Sequence, residues 1–208
     1  MPEHEFITRY LQAKPNAAHY ALASLGDPSI LSRIAPSLGE SATPPLLITQ
    51  HIDSLSLRAL DALPAEAKVA AEKRLLEMHG SIFVTRCTSC QHTLRSHDTP
   101  LASALIDPER HDIPVAELRR CGGEKWSGSN RYGKCGGLLR PSVTWFGEVS
   151  EHMGEIARQL NWCDMLLVVG TSFTVSVFMA WTRIADQNSM FEGTTRLQIR
   201  FDCQVTRW

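Results

Sequence analysis

The chain has no excess of charge of either sign. Its 208 residues carry 21 Lys and Arg against 22 Asp and Glu, a formal net charge of −1. The broad basic field that holds nucleic acid by its phosphates is therefore missing. Long apolar runs are missing too. The longest, around Met165–Gly170, falls far short of the roughly 20 residues that span a bilayer. The opening residues, Met1-Pro-Glu-His-Glu-Phe6, show neither the charged-then-apolar order of a secretory signal nor an Arg-rich presequence. These absences argue against a nucleic-acid partner, a membrane partner and secretion. The expectation is an intracellular protein, with cytoplasm, nucleus and mitochondrion left open.

What remains is an ordinary globular composition, 43% hydrophobic and 21% charged. The length allows one large domain, or one domain with a small insert, and is enough to bury a core without disulfide staples. Six cysteines stand out: Cys87, Cys90, Cys121, Cys135, Cys163 and Cys203. Without a secretion signal, such a cluster points to metal or catalysis before disulfides. Cys163, next to an apolar run, reads as a small core residue.

Local patterns place these residues on a scaffold. Asn16–Gly26 reads as a helix, with Pro15 before it and Gly26 as its C-cap. Leu46–Thr49, between Pro45 and the polar Gln50-His-Ile-Asp53, reads as a buried parallel strand running into a loop. Pro64 opens a helix over an Ala- and Lys-rich stretch to Arg74, and Ser81–Thr88 is strand-like. Residues Leu138–Glu148 return to an apolar pattern, His152–Leu160 reads as a helix, and Met165–Gly170 as a second buried strand ending in Gly170-Thr-Ser172. Buried strands separated by helices imply an α/β fold with an open parallel sheet. Ligands bind beyond the carboxyl ends of such strands, so Gln50–Asp53 and Gly170–Ser172 are the loops to watch.

The stretch Cys87–Cys135 is poor in large apolar residues. Four thiolates from Cys87-x-x-Cys90, Cys121 and Cys135 suit tetrahedral Zn²⁺. Metal-binding energy would there replace a missing core. His92, His97 and His111 stand as alternative ligands. A closed four-sulfur site is structural, not catalytic. Arg119, Arg120, Lys125, Arg131 and Lys134 in the same module read as a solvated face.

Between about Pro15 and Ser172 several blocks follow in order: Pro15-Asn-Ala-Ala-His-Tyr-Ala-Leu22, Ile48-Thr-Gln-His-Ile-Asp53, Leu76-Glu-Met-His-Gly-Ser-Ile-Phe83, the Cys87-Thr-Ser-Cys90 pair, Gly136-Gly-Leu-Leu-Arg-Pro141, Val143-Thr-Trp-Phe-Gly-Glu148 and Val168-Val-Gly-Thr-Ser172. Together they resemble the sirtuins, NAD-dependent protein-lysine deacylases. The resemblance implies a Rossmann-like NAD-binding domain from residues 1–86 and 136–208, with a small zinc module at 87–135 inserted. It makes His79 the general base that takes a proton from the nicotinamide ribose, a task suited to an imidazole at neutral pH. It gives Gln50, Ile52, Asp53, Gly170, Thr171 and Ser172 to the cofactor. Val143, Trp145, Phe146, Gly147 and Glu148 become the strand beside which an acyl-lysine protein or peptide adds itself. The implied reaction transfers the acyl group to NAD, giving free lysine, nicotinamide and O-acyl-ADP-ribose.

The wording around Ile113–Cys121 is most similar to the branch removing succinyl, malonyl and glutaryl groups. That branch reads the acyl carboxylate with a Tyr and an Arg, and the nearest counterpart here is Phe6 with Arg9. Acetyl and succinyl or malonyl therefore both stay open. Three features depart from the family pattern. Residues Met1–Ala13 contain no glycine, hence no Gly-Ala-Gly-x-Ser phosphate loop, as in a chain truncated at its N-terminus. His51, Ser54 and Ser56 stand where the family has Asn, Gly and His. After Phe178 the pattern is lost. The alternative expectation is accordingly a non-catalytic, zinc-bearing binding or regulatory module. Oligomeric state is not legible.

Overall fold

The computed structural model describes residues 9–38, 43–97, 107, 112–123, 126–162, 166–169 and 199–201. They fall into two compact units, 1–150 and 151–208. Among the described residues, no helix is long and apolar enough to cross a membrane.

In the first unit a helical turn at 9–12 precedes helices α1 (Ala17–Ser24) and α2 (Pro28–Ile34). Asn16 starts α1 because its Oδ1 accepts the N–H groups of Ala18 and His19, at 3.0 and 3.1 Å. These donors have no partner inside the helix. Asp27 does the same for α2, accepting from Ser29 at 2.8 Å, with Pro28 in the first turn where its missing N–H costs nothing. Leu25, not Gly26, is the C-cap of α1. Gly26 is small for a different reason: a Cβ there would stand 2.8 Å from Ala71 Cβ.

A βαβ unit follows. Strand β1 (Leu47–Thr49) leads through helix α3 (Leu55–Ala59), a 3-10 turn at Leu60–Ala62 and helix α4 (Ala65–Glu72) to strand β2 (Leu75–Glu77). The strands pair in parallel, Leu47 with Leu75 through Thr49 with Glu77. The crossover packs through Ala23, Ala59, Leu60 and Ala71, with Leu57, Leu63 and Leu75 against them. Three alanines in that cluster let helix backbones approach closely, which is also what Gly26 permits.

The chain then enters an antiparallel sheet in which β3 (Gly80–Cys87) lies between β4 (Thr93–Arg95) and β7 (Leu139–Val143). Register between β3 and β7 slips between Ser81 and Thr85. Pro141, which has no N–H to give a ladder, sits next to that irregularity. Where the pairing slips, the Ile82 N–H reaches the Ile52 carbonyl instead, at 3.1 Å. Buried Ile82 and Phe83 collect Tyr10, Leu11, Ile52 and Val143 around them. A short hairpin, β5 (Ser129–Asn130) with β6 (Gly133–Lys134), completes the unit.

In the second unit, helix α5 (Met153–Asn161) buries Ile156 and Leu160. Strand β8 (Leu167–Val169) pairs in parallel with β9 (Ile199–Phe201). The sequence pattern suggested a fully buried strand here, yet Leu167 and Val169 are 41% and 44% exposed. A short apolar run reports what a strand could bury, and among the described residues β8 has one neighbour. The parallel β1–β2 pair with its helical crossover agrees with the expected α/β class.

Candidate active site and metal centre

Three of the segments singled out in the sequence meet at one edge of the βαβ unit. Thr49 and Glu77 are partners at the carboxyl ends of β1 and β2, so Gln50–Asp53 and Met78–His79 leave the same edge of a parallel pair. That is where such sheets present ligand-binding loops. Main-chain bonds tie the segments: Met78 N–H to the Thr49 carbonyl at 2.9 Å, and Thr144 N–H to the His79 carbonyl at 2.9 Å. The buried Ser150 hydroxyl also donates to the Met78 carbonyl.

His79 lies at the centre of this junction. It is half-buried, and its Nδ1 is a buried nitrogen with no hydrogen-bond partner. Burial holds its pKa below the usual histidine value, because the site disfavours the charged ring. At neutral pH the ring is therefore uncharged and keeps a lone pair for a proton.

Gln50, Ile52 and Asp53 are half-buried, and His51 is exposed. Asp53 Oδ1 accepts the Leu55 N–H at 2.9 Å, just ahead of the N-cap Ser54 of α3. Its charge is felt by neighbours. Burial and Asp53 together raise the Tyr10 pKa. His19 is held below its usual value by burial, which Asp53 opposes and His51 assists.

Ser54 was noted in the sequence only as a departure, and the structure shows what it does. Its φ is +53°, a backbone state that suits the glycine of the resembling pattern. A buried serine holds it through a chain of hydroxyls. Ser54 Oγ donates to Glu77 Oε1 at 2.7 Å. Its single proton is then committed, so the 2.9 Å contact between Ser54 and Ser81 must be donated by Ser81. Ser81 Oγ in turn accepts the Phe83 N–H at 3.2 Å. Burial raises the Glu77 pKa, with Ser54 and Arg95 pulling it back and Asp53 adding to the rise. Nothing in the local sequence pattern signals this link, because Glu77 and Ser54 are 23 positions apart.

The expectation that Val143–Glu148 is one strand needs correction. Strand β7 ends at Val143, and Thr144–Glu148 form a turn in which Glu148 N–H returns to the Trp145 carbonyl at 2.9 Å. Gly147 has φ +90°, a state that ends extended pairing and favours glycine. A two-pronged ion pair braces the turn: Arg140 Nη1 and Nη2 reach Glu148 Oε1 and Oε2 at 2.7 and 3.0 Å. Glu148 Oε2 also accepts the Trp145 N–H at 3.1 Å. The Arg140 hydrogen bonds hold the Glu148 carboxyl below the usual carboxylate range. The turn presents Trp145, 54% exposed, and a fully exposed Phe146. Gly170, Thr171 and Ser172, like Phe6 and Cys163, lie outside the described residues.

The four cysteines converge as expected. Cys87 closes β3, Cys90 lies in the turn after it, and Cys121 and Cys135 flank the β5–β6 hairpin. Their sulfurs all lie within 4.8 Å of one another, with Cys87–Cys135 at 3.8 Å and Cys90–Cys121 at 3.5 Å. A tetrahedron of 2.3 Å zinc–sulfur bonds has edges of about 3.8 Å, so the set fits zinc. The backbone folds round them: Cys87 N–H to the His92 carbonyl, and Cys121 N–H to the Gly137 carbonyl, each at 2.9 Å. Burial disfavours the Cys87 thiolate, but N–H groups of Cys90 and Ser89 outweigh it and bring the pKa to about 7. Burial and the neighbouring Cys90 push Cys121 up to about 12. His92 and His97 are not members of the sulfur cluster, and His111 lies outside the described residues.

Comparison with known proteins gives a consistent answer. The model of the Sir2 family matches residues 3–177. The chain is 38% identical over 174 residues to the mitochondrial NAD-dependent protein deacylase sirtuin-5 of Canis lupus familiaris, covering 79% of this chain and 47% of that protein. It thus spans about half the length of the curated relatives it matches. Among solved structures, it resembles a Sir2 homologue in complex with NAD, with a TM-score of 0.58 and 25% identity, covering 95% of this chain and 60% of that one. A Sir2 homologue variant in complex with ADP-ribose aligns with a TM-score of 0.59 and 27% identity, over 94% and 59% of the two chains.

Proposed function

The chain belongs to the Sir2 family, and on that premise we propose that it is an NAD-dependent protein-lysine deacylase with His79 as general base. The observation that carries this is the state of His79: a half-buried, uncharged ring with an unpartnered buried nitrogen, at the carboxyl edge of a parallel strand pair. A buried polar atom without a partner is costly, and a ligand hydroxyl is the kind of group that removes that cost. Gln50, Ile52 and Asp53 would hold the nicotinamide end of NAD, with Gly170, Thr171 and Ser172 making a second contact. When bound, NAD supplies the ribose carbon that accepts the acyl oxygen. His79 takes a ribose hydroxyl proton on an imidazole nitrogen. The Arg140–Glu148 pair fixes the turn that offers Val143, Trp145, Phe146 and Gly147 to an acyl-lysine protein or peptide. Cys87, Cys90, Cys121 and Cys135 would hold zinc, which ties the 87–135 module together and takes no part in the chemistry. Residues 1–86 and 136–208 would form the NAD-binding part. The wording around Ile113–Cys121 favours acidic acyl groups such as succinyl and malonyl, with acetyl as the competing substrate, and the likeness to a mitochondrial sirtuin-5 makes mitochondria the first compartment to examine.

A thermal-shift titration tests the cofactor half of this reading. A ligand that binds only the folded state raises the melting temperature in proportion to ln(1 + [L]/Kd). NAD should raise it and adenine alone should not. A melting temperature indifferent to NAD at millimolar concentration would favour the non-catalytic zinc module instead.

A further inference from the structure

The loop between Cys121 and Cys135 is long for a pair of metal ligands, and the proposed chemistry uses nothing it carries. It carries Trp126. The indole is buried, 5% exposed, and its Nε1–H donates to Cys121 Sγ at 2.9 Å. Its position is fixed from several sides. His92 stands edge-on to the ring, with centroids 5.3 Å apart and planes at 89°. Gly128 lies so close that a Cβ there would be 2.3 Å from the indole Nε1, 2.6 Å from Cys121 Sγ and 2.7 Å from His92 Cδ2. The Trp126 N–H is held by the Gly123 carbonyl at 3.1 Å. Cys87, Cys121 and Trp126 form one buried cluster, with Cys90, Cys135, Leu94 and Leu139 packed on it.

We propose that Trp126 is a positioning residue of the metal centre, its indole N–H drawing charge from the Cys121 thiolate and keeping that sulfur on the metal. The proposal rests on the reading of the four cysteines as a zinc site. Four thiolates on one Zn²⁺ carry a net charge of about −2. That charge must be met by donors, because Cys121 is 1% exposed and water cannot serve it. Backbone N–H groups of Ser89 and Cys90 serve Cys87, at 3.4 and 3.5 Å. For Cys121 the indole takes that part. An apolar plug would need no donor, and a buried indole normally finds an acceptor. Donors around a metal ligand set how firmly the metal is held.

The test uses the full chain. Zinc content is measured first, then the rate of zinc transfer to a chromogenic chelator. Two replacements at position 126 are compared with wild type: Trp126→Phe, and the benzothienyl analogue of tryptophan, which keeps the shape and replaces N–H by sulfur. Each protein is also loaded with Co²⁺, whose thiolate-to-metal charge-transfer band reports sulfur electron density. One zinc per wild-type chain is expected. Both replacements should release it about tenfold faster or more, and the cobalt band should move to longer wavelength because the thiolate has lost a hydrogen bond. Should Trp126→Phe fail to fold, the benzothienyl protein decides. If wild type holds zinc and the benzothienyl protein matches it in rate and band, Trp126 is a plug and the proposal is overturned, while the zinc reading stands. A wild type without zinc overturns both.

Discussion

Replacing His79 by alanine should separate chemistry from folding, because the backbone at position 79 is held without the imidazole. Met78 N–H bonds to Thr49, and the His79 carbonyl accepts from Thr144. Both are main-chain bonds that survive the substitution. The ring itself contributes two opposing terms to stability. Removing a half-buried ring forfeits about 1 kcal/mol of packing. Removing a buried nitrogen that has no partner returns about 1 kcal/mol or more. The two nearly cancel, so His79→Ala should melt within a few degrees of wild type. Catalysis has no such compensation. General-base assistance contributes about 10²–10⁴-fold, roughly 3–5 kcal/mol of barrier. The assay is NAD-dependent nicotinamide release from an acyl-lysine peptide, run beside thermal melts and zinc analysis. A loss of rate with unchanged melt and metal content is the expected outcome. A variant as active as wild type would refute the reasoning. So would one whose rate and melting temperature collapse together, since His79 would then be holding the fold.

Further expectations follow from the same geometry. Burial lowers the His79 pKa, so the acid limb of kcat/KM should fall below pH 6.5; a limb at or above the ordinary histidine value would contradict the burial. The same shift makes the unfolded chain the better proton acceptor. Stability should therefore decline as pH falls through about 6.5 toward the folded pKa, and His79→Ala should remove that part of the decline in a series of melts. Gly137→Ala would place a Cβ 2.5 Å from Ser89 Oγ and 2.8 Å from Cys87 Sγ. Overpacking of this kind costs about 1–3 kcal/mol, visible as earlier denaturation and faster zinc loss, and unchanged metal retention would argue against the cluster geometry. Glu148→Gln should raise KM for peptide with little change in melting temperature, since the Arg140–Glu148 pair braces an exposed turn; equal KM values would show that the turn does not present substrate.

Much of the site was legible because its signals are local. Asn16 and Pro64 sit where helices begin, and caps are read from a few adjacent residues. Cys87-x-x-Cys90 points to a metal site by its spacing, and Cys121 and Cys135 by their company in the same stretch. What escaped was carried by contacts between distant positions. Ser54 looks like a simple departure until Glu77 and Ser81 are seen to hold its left-handed backbone. Trp126 reads as a stray aromatic in a Gly/Ser-rich loop until its indole is found on Cys121. The resemblance alone makes Val143–Glu148 one strand; the Arg140–Glu148 bond and the Gly147 conformation that bend Thr144–Glu148 into a turn are tertiary and backbone effects. Exposure of Leu167 and Val169 escaped for the same reason: composition cannot report which neighbours are present.

We propose that this chain moves an acyl group from lysine to NAD at a site built round His79. The most direct measurement is mass spectrometry of succinyl-, malonyl- and acetyl-lysine peptides incubated with the full chain, with and without NAD. Deacylated peptide and nicotinamide should appear in equal amounts, only when NAD is present, and His79→Ala should slow both by about 10²–10⁴-fold. Acyl loss without NAD, or peptides unchanged under every condition by a folded, zinc-loaded chain, would contradict it.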